Sequence, residues 1–347
     1  MKLGFRQGLF ALLCSLPALA YGADNQGVQG RLFQPNIDGL GIHSVDSVDV
    51  LDPFAIAVNV FFDHAINPVE RGGPGDRRIA TLVGEQGTFE FSAAVGLPYG
   101  LSLAATVPLG VDQDGHQIDT GKNLDEVGRF DARIELKSKL WVDDSGVFGL
   151  GAKLLVTIPR GASNQNFRSE DGQSTVGGLI LAERRFERLR LLGELGYQWI
   201  EEDIKVGGAH VDDRVLAGFG IDYLLWTSEG HDRLASRTRE PSSRTKKAQE
   251  KGEPAPEEEW YALVGQVSLD ASWRFLHPSD EITRPIELDY GLRFESHYGV
   301  ALEVGGGSGL TNGIGAPDYR MFCGLRVLLG GFKASFARFA KLAAPRQ

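Results

Sequence analysis

The sequence predicts an all-β fold, a transmembrane antiparallel up-and-down β-barrel of about 12 strands. Three observations carry that expectation. From Arg129 to Leu140, charged and apolar residues alternate: Arg129, Asp131, Arg133, Glu135, Lys137 and Lys139 share one side, and Phe130, Ala132, Ile134, Leu136, Ser138 and Leu140 the other. Successive side chains of a strand fall on opposite faces, so one face here is oily and the other ionic, as a wall between lipid and water requires. The same alternation returns in Phe89 to Val95, Leu189 to Trp199 and Ile286 to Glu295. Finally, Lys2 and Arg6 precede an apolar run from Leu9 to Ala20 and then small residues, the pattern of an export signal.

Taken in order, residues 1–22 are expected to be a cleaved signal peptide, with the mature chain starting at Ala23. Leu13 precedes Cys14 where a lipoprotein signal needs a small residue, so lipid anchoring is not expected. Residues 23–53 are expected as a periplasmic N-terminal segment and 54–330 as the barrel. Strands are placed near 54–63, 87–97, 101–110, 129–142, 147–159, 175–186, 189–200, 214–226, 260–273, 286–296, 299–305 and 319–330. Tight links at Pro98-Tyr99-Gly100, Asp143 to Gly146, Glu187-Arg188 and His297-Tyr298 alternate with long ones at 64–86, 111–128, 160–174, 201–213, 274–285 and 306–318. Outer-membrane barrels keep short turns in the periplasm and long loops outside, which puts both termini in the periplasm. Aromatic residues agree: Trp141, Trp226, Trp260, Tyr261 and Tyr298 fall at turn ends, Trp199 and Trp273 at loop ends, as at the two lipid–water boundaries.

One link departs from the rule. The insertion at 227–259 is rich in Arg, Lys, Glu, Ser and Pro and is expected to be disordered, either inert or in contact with a periplasmic partner. In the tail, 331–347, Phe332, Phe336, Phe339, Ala340 and Ala343 recur at helical spacing among Lys333, Arg338, Lys341 and Arg346. That pattern fits a basic amphipathic helix or an extension of the last strand.

Composition narrows the function classes. The net charge of -10 argues against nucleic acid as a partner. With the signal removed Cys323 stands alone, so no intrachain disulfide is expected. Outside the signal, no apolar run approaches the roughly 18 residues of a helical span. The 45 glycines, about twice average usage, suit turns and close backbone contacts.

The segment Gly309 to Leu325, Gly-Leu-Thr-Asn-Gly-Ile-Gly-Ala-Pro-Asp-Tyr-Arg-Met-Phe-Cys-Gly-Leu, resembles the last loop and strand of the N-terminal barrels of OmpA-family proteins from myxobacteria and their relatives. Arg31-Leu32-Phe33-Gln34-Pro35, followed by Val45 to Asp52, and Val156-Thr157-Ile158-Pro159-Arg160-Gly161 are similar to that group too. The resemblance implies an outer-membrane barrel. Such proteins commonly continue into a peptidoglycan-binding domain, whereas this chain stops at Gln347.

No catalytic, cofactor or metal site is expected. Asp63-His64 and Asp212-Asp213 invite comparison with omptin proteases, but omptin acidic pairs are one residue apart so that both face the lumen, and adjacent strand residues face opposite ways. The seven His stand in no nucleophile motif of a phospholipase kind. Asp112, Asp114, Gly115 and Asp119 lack the closing Glu of a calcium loop, with His116 in place of an oxygen ligand. Gly305 to Gly309 lacks the Lys of a phosphate loop and reads as a flexible strand exit. Cys323 shares a lipid-facing side with Met321, Leu325 and Val327.

The lumen is the informative feature. Its expected lining pairs Arg129, Arg133, Lys137, Lys139, Lys153, Arg293, Arg320 and Arg326 with Asp131, Glu135, Glu194, Asp222, Asp270, Glu287, Asp289, Glu295 and Glu303. If paired across the bore these charges plug it; if held apart they leave a narrow polar channel. The expected function is a narrow, weakly selective channel for small hydrophilic solutes in a Gram-negative outer membrane, in contact with lipid and lipopolysaccharide. The alternative is a closed structural barrel serving envelope integrity or protein contacts, and a hydrolase is a remote third.

Overall fold

A computed structural model describes residues 32–73, 77–115, 128–158, 174–200, 204–206, 209–211, 213–228, 260–274, 284–311 and 315–329. Within these, the side chains of 69–82, 115, 128–129, 204–206, 209–211 and 274 are not described. The expected signal peptide, most of the 227–259 insertion and the 331–347 tail lie outside the described residues.

The strands are β1 Ile56–Gly73, β2 Arg77–Leu97, β3 Leu101–Gly115, β4 Gly128–Arg129, β5 Ala132–Val142, β6 Phe148–Ile158, β7 Thr175–Arg185 and β8 Leu189–Ile200. They continue as β9 Ile204–Val206, β10 Ala209–Val211, β11 Arg214–Thr227, β12 Tyr261–Arg274, β13 Ile286–Ser296, β14 Val300–Gly309 and β15 Tyr319–Leu329. Each long strand pairs antiparallel with the next, and β1 pairs with β15 from Ile56↔Leu329 to Ile66↔Tyr319, closing a cylinder of 12 strands. The short β4 lies on β3, and β9 with β10 forms a separate hairpin. Among the described residues, closure leaves the 12 strands of the cylinder without a free edge, which is what a sheet immersed in hydrocarbon needs.

Alternation then sorts the side chains. Ile180, Leu195 and Val304 are more than half exposed on the outer face, whereas Glu90, Glu287 and Arg320 on the inner face are at most 2% exposed. Trp141 and Trp226 stand exposed near the turn ends of β5 and β11, Trp199 and Trp273 near the loop ends of β8 and β12. Cys323 is exposed on the outer face with Met321 and Leu325. At the Pro98-Tyr99-Gly100 turn, Tyr99 and Gly100 take φ of 68° and 73°, the left-handed geometry that matches the twist of a hairpin.

Three expectations need correction. First, 64–86 is not a loop: β1 and β2 continue as a paired ribbon to Gly73↔Arg77, and β3 runs to Gly115. Beyond the apolar belt a hairpin needs no oily face, so the alternation fades while the pairing persists. Second, the strand expected at 129–142 breaks at Phe130 and Asp131, between β4 and β5. The Phe130 N–H donates to Pro108 O (3.2 Å), and the break turns Phe130 inward to full burial instead of toward lipid.

The third concerns 23–53, expected as a periplasmic segment. Its described part, 32–53, lies inside the barrel. The Leu32 N–H donates to Gly315 O (3.3 Å) in the β14–β15 connection, at the loop end. From there the chain descends, turns back through the Ile42↔Val45 bridge with His43 at φ 48°, and leaves beside the turn end of β2. At that exit the Phe54 N–H donates to Gly96 O and the Gly96 N–H to Ala55 O (both 2.8 Å). A Cβ on Gly96 would fall 1.9 Å from Asp52 O, so only glycine lets the chain pass there.

Candidate functional site: the filled barrel interior

Apolar residues of the 32–53 segment anchor it to the wall at four places. Phe33 stacks on Phe322 and packs tilted against Phe61 (ring centroids 5.3 and 5.6 Å). Ile37, Leu40 and Leu51 pack with Ala57, Ala94 and Ala104, where the wall is thinned to alanine. Ile42 and Val45 meet Leu192, and Val48 meets Leu155, Leu179 and Leu181. Each such side chain contributes roughly 1.5–3 kcal/mol on full burial, enough together to hold a segment with almost no regular structure.

Its polar groups meet the charges of the wall. Asp38 pairs with Lys137, and Asp46 with Lys153 and, at 3.5 Å, Lys137. Asp49 bridges Lys139 and Arg185, both at 2.6 Å. His43 Nδ1 lies 2.7 Å from Glu303, and the Ser44 hydroxyl donates to Asp270 (2.5 Å). Arginines cap the segment's free carbonyls: Arg133 donates to Pro35 O, Arg190 to Leu40 O and Arg293 to Gly41 O, at 2.8–2.9 Å. Glu183 accepts from the Ser47 hydroxyl and the Val48 N–H, and Glu194 from the Asp46 N–H. Buried charges are tolerated when paired and hydrogen-bonded, and this segment supplies part of both.

The remaining wall charges pair along the wall itself. Arg133 reaches Glu135 (3.0 Å) and Glu90 (3.6 Å), and Arg190 reaches Asp222 (2.5 Å). Arg293 reaches Glu295 (2.8 Å) and Arg326 the same carboxylate (3.3 Å). Arg320, fully buried, clamps Asp63 (2.5 Å) and Glu287 (2.6 Å) and sits 4.9 Å over the Phe33 ring. Asp131 and Asp289 are buried as well, while the Arg129 side chain lies outside the described residues. The residues 133, 135, 137, 139 and 153 therefore converge on the segment 34–49, and 63, 287, 289 and 320 form a second group. Sequence reasoning missed Asp63, Glu90, Glu183, Arg185 and Arg190 as interior charges, and missed Asp38, Asp46 and Asp49 altogether. The signal for the last two is the repeat Ser44-Val45-Asp46-Ser47-Val48-Asp49, where valines and aspartates alternate too regularly for a tether.

Among the described residues, cavities lie on either side of Pro35 and Asn36, which line both. The first lies toward the loop end between Gln34, Asp46, Arg133, Glu194, Arg214 and Asp270. The second is bounded by His43, Asn59, Arg293, Glu303 and Arg326.

The residues considered for hydrolysis do not assemble. Asp63 faces inward on Arg320, while His64 lies on the outer face 3.9 Å from Glu85. Asp213 accepts from Tyr197 Oη and the Ile200 N–H, and Asp212 lies outside the described residues. Asp112 and Asp114 are exposed on β3, with His116 and Asp119 outside the described residues. Gly305 to Gly309 belongs to β14 itself rather than to a loop.

No family model and no curated protein matches the chain. Among solved structures it is similar to an outer membrane channel from Pseudomonas putida F1, with a TM-score of 0.53 at 12% identity, covering 82% of this chain and 100% of that one. The NanC porin (TM-score 0.40, 10% identity, 80% and 100% covered) and the beta domain of the Bordetella autotransporter BrkA (0.39, 13%, 79% and 99%) also match. What the first likeness carries is the fold: a closed antiparallel cylinder of the kind found in outer membranes.

Proposed function

We propose that this chain is an outer-membrane barrel forming a narrow, weakly selective channel for small hydrophilic solutes, with residues 32–53 as its gate. The observation that carries the reading is the pair of cavities meeting at Pro35 and Asn36, each with charged side chains of both signs in its lining. A solute entering from the loop end has charged and amide groups of both signs to replace its water, and only the segment separates it from the second cavity. Charges of both signs give little net preference for anions or cations. The exposed apolar belt supports a lipid setting, and export by a signal peptide, long loops outward and turns toward the periplasm follow from the sequence pattern.

The density of buried pairs between segment and wall favours a second reading, a barrel that stays shut and serves the envelope structurally. Planar-bilayer recording separates the two. A channel shows discrete steps in the native protein, with a reversal potential near zero in a salt gradient, and longer openings when the segment's pairing is weakened. Well-folded protein that stays silent in both forms would leave the structural barrel as the function.

A further inference from the structure

We propose a hard-cation site in the inner wall on β12 and β13, anchored by Asp289 and completed by Ser268 and Gln266. The charged groups bearing most strongly on Asp289 are Glu287, Asp270, Asp63 and the cation Arg320. Arg320 is already committed, with Nη1 on Asp63 and Nε and Nη2 on Glu287. Asp270 accepts from Ser44. Asp289 is fully buried, and neither of its carboxylate oxygens has a hydrogen-bond partner.

A second observation points to a ligand. Cross-strand register sets Ser268 opposite Asp289, Asp270 opposite Glu287 and Gln266 opposite Gly291, so these side chains share the inner face of two adjacent strands. The Ser268 hydroxyl and both amide atoms of Gln266 are buried and also lack partners. Buried polar groups are nearly always satisfied, and a buried carboxylate is costly unless a positive charge answers it. Here a carboxylate, a hydroxyl and an amide oxygen lie on one face with nothing engaging them, beside three further acids and one guanidinium. An all-oxygen set suits calcium or sodium rather than a thiolate- or imidazole-seeking metal.

Among the described residues no three His, Cys, Asp or Glu side chains come close enough to cage a metal, so the ion keeps part of its water and the neutral oxygens complete its shell. β14 accommodates the carboxylate: Gly307 stands opposite Asp289, and a Cβ there would fall 2.0 Å from Asp289 Oδ1.

The test is ion retention by the purified full-length protein in detergent, equilibrated with radiolabelled calcium or sodium against N-methyl-D-glucamine chloride and then desalted. The native protein is expected to retain about one ion per chain for at least one of the two metals. Asp289→Asn, which keeps the shape and removes the charge, is expected to weaken retention by roughly tenfold or more. Retention no greater than that of Asp289→Asn for both metals overturns the site. Should the variant not assemble, the native barrel decides: a higher unfolding temperature in calcium or sodium chloride than in N-methyl-D-glucamine chloride at equal ionic strength supports it, and equal temperatures overturn it. Neither readout needs current, so failure here and failure of the channel reading are distinct.

Discussion

Replacing Asp46 by Ala should free the 32–53 segment without dismantling the wall. Asp46 accepts from Lys153 and Asn36 and lies 3.5 Å from Lys137, with all three charged groups buried. Removing one partner of a buried ion pair costs about 3–5 kcal/mol, because a charge is left uncompensated. Here Lys153 keeps Glu135 at 3.8 Å and Lys137 keeps Asp38, so the lower end, about 3 kcal/mol, applies. Because the lost contact joins segment to wall, that cost falls on docking, and the undocked population should rise roughly 10²-fold. The assay is labelling of Val48→Cys, in a Cys323→Ser background, by a water-soluble maleimide. Val48 is 1% exposed when docked, so its labelling rate follows the undocked population. Asp46→Ala should label about 10²-fold faster than a control carrying Asp112→Ala, which removes an exposed carboxylate on β3. Equal rates in the two would refute the claim that wall lysines hold the segment in place.

Other substitutions probe the same architecture. Arg133→Glu puts a third carboxylate beside Glu135 and Glu90, now 3.0 and 3.6 Å from the guanidinium, and should lower stability by about 3–5 kcal/mol; heat-modified gel migration should show it failing well below Asp112→Ala, and equal heat resistance would remove that role. Phe33→Ala leaves a cavity beside Phe61 and Phe322 and should cost docking about 3–5 kcal/mol, read as faster labelling at position 48. Gly96→Ala drives a Cβ against Asp52 O and should destabilise the exit by about 3 kcal/mol, near the top of the overpacking range; unfolding in urea like the native protein would show that 51–55 shifts without cost.

The wall was legible because its rule is local. Residues 133, 135 and 137, or 287, 289, 293 and 295, alternate with apolar neighbours, and strand geometry alone sends them inward. Where pairing breaks, the rule breaks with it, and Phe130 went to the wrong face. The β1–β2 ribbon past Ile66 was missed because strands in water need hydrogen bonds, not an oily side. The segment 32–53 was missed for a different reason. It has no strand or helix period, and its position is decided by residues outside the segment, such as Lys153 for Asp46, 107 places away. Long-range charge pairing leaves only a compositional trace, here the Ser-Val-Asp repeat at 44–49.

Hydrogen–deuterium exchange on the purified barrel tests the central claim most directly, that the cylinder's bore is filled by its own N-terminal segment. The amides of Ile42, Val45, Val48 and Leu51 all donate inside the barrel, to Val45 O, Ile42 O, Glu183 and Ser102. They should exchange as slowly as the flanking strands. Exchange of 32–53 at the rate of an unstructured peptide, with the strands still protected, would contradict the account.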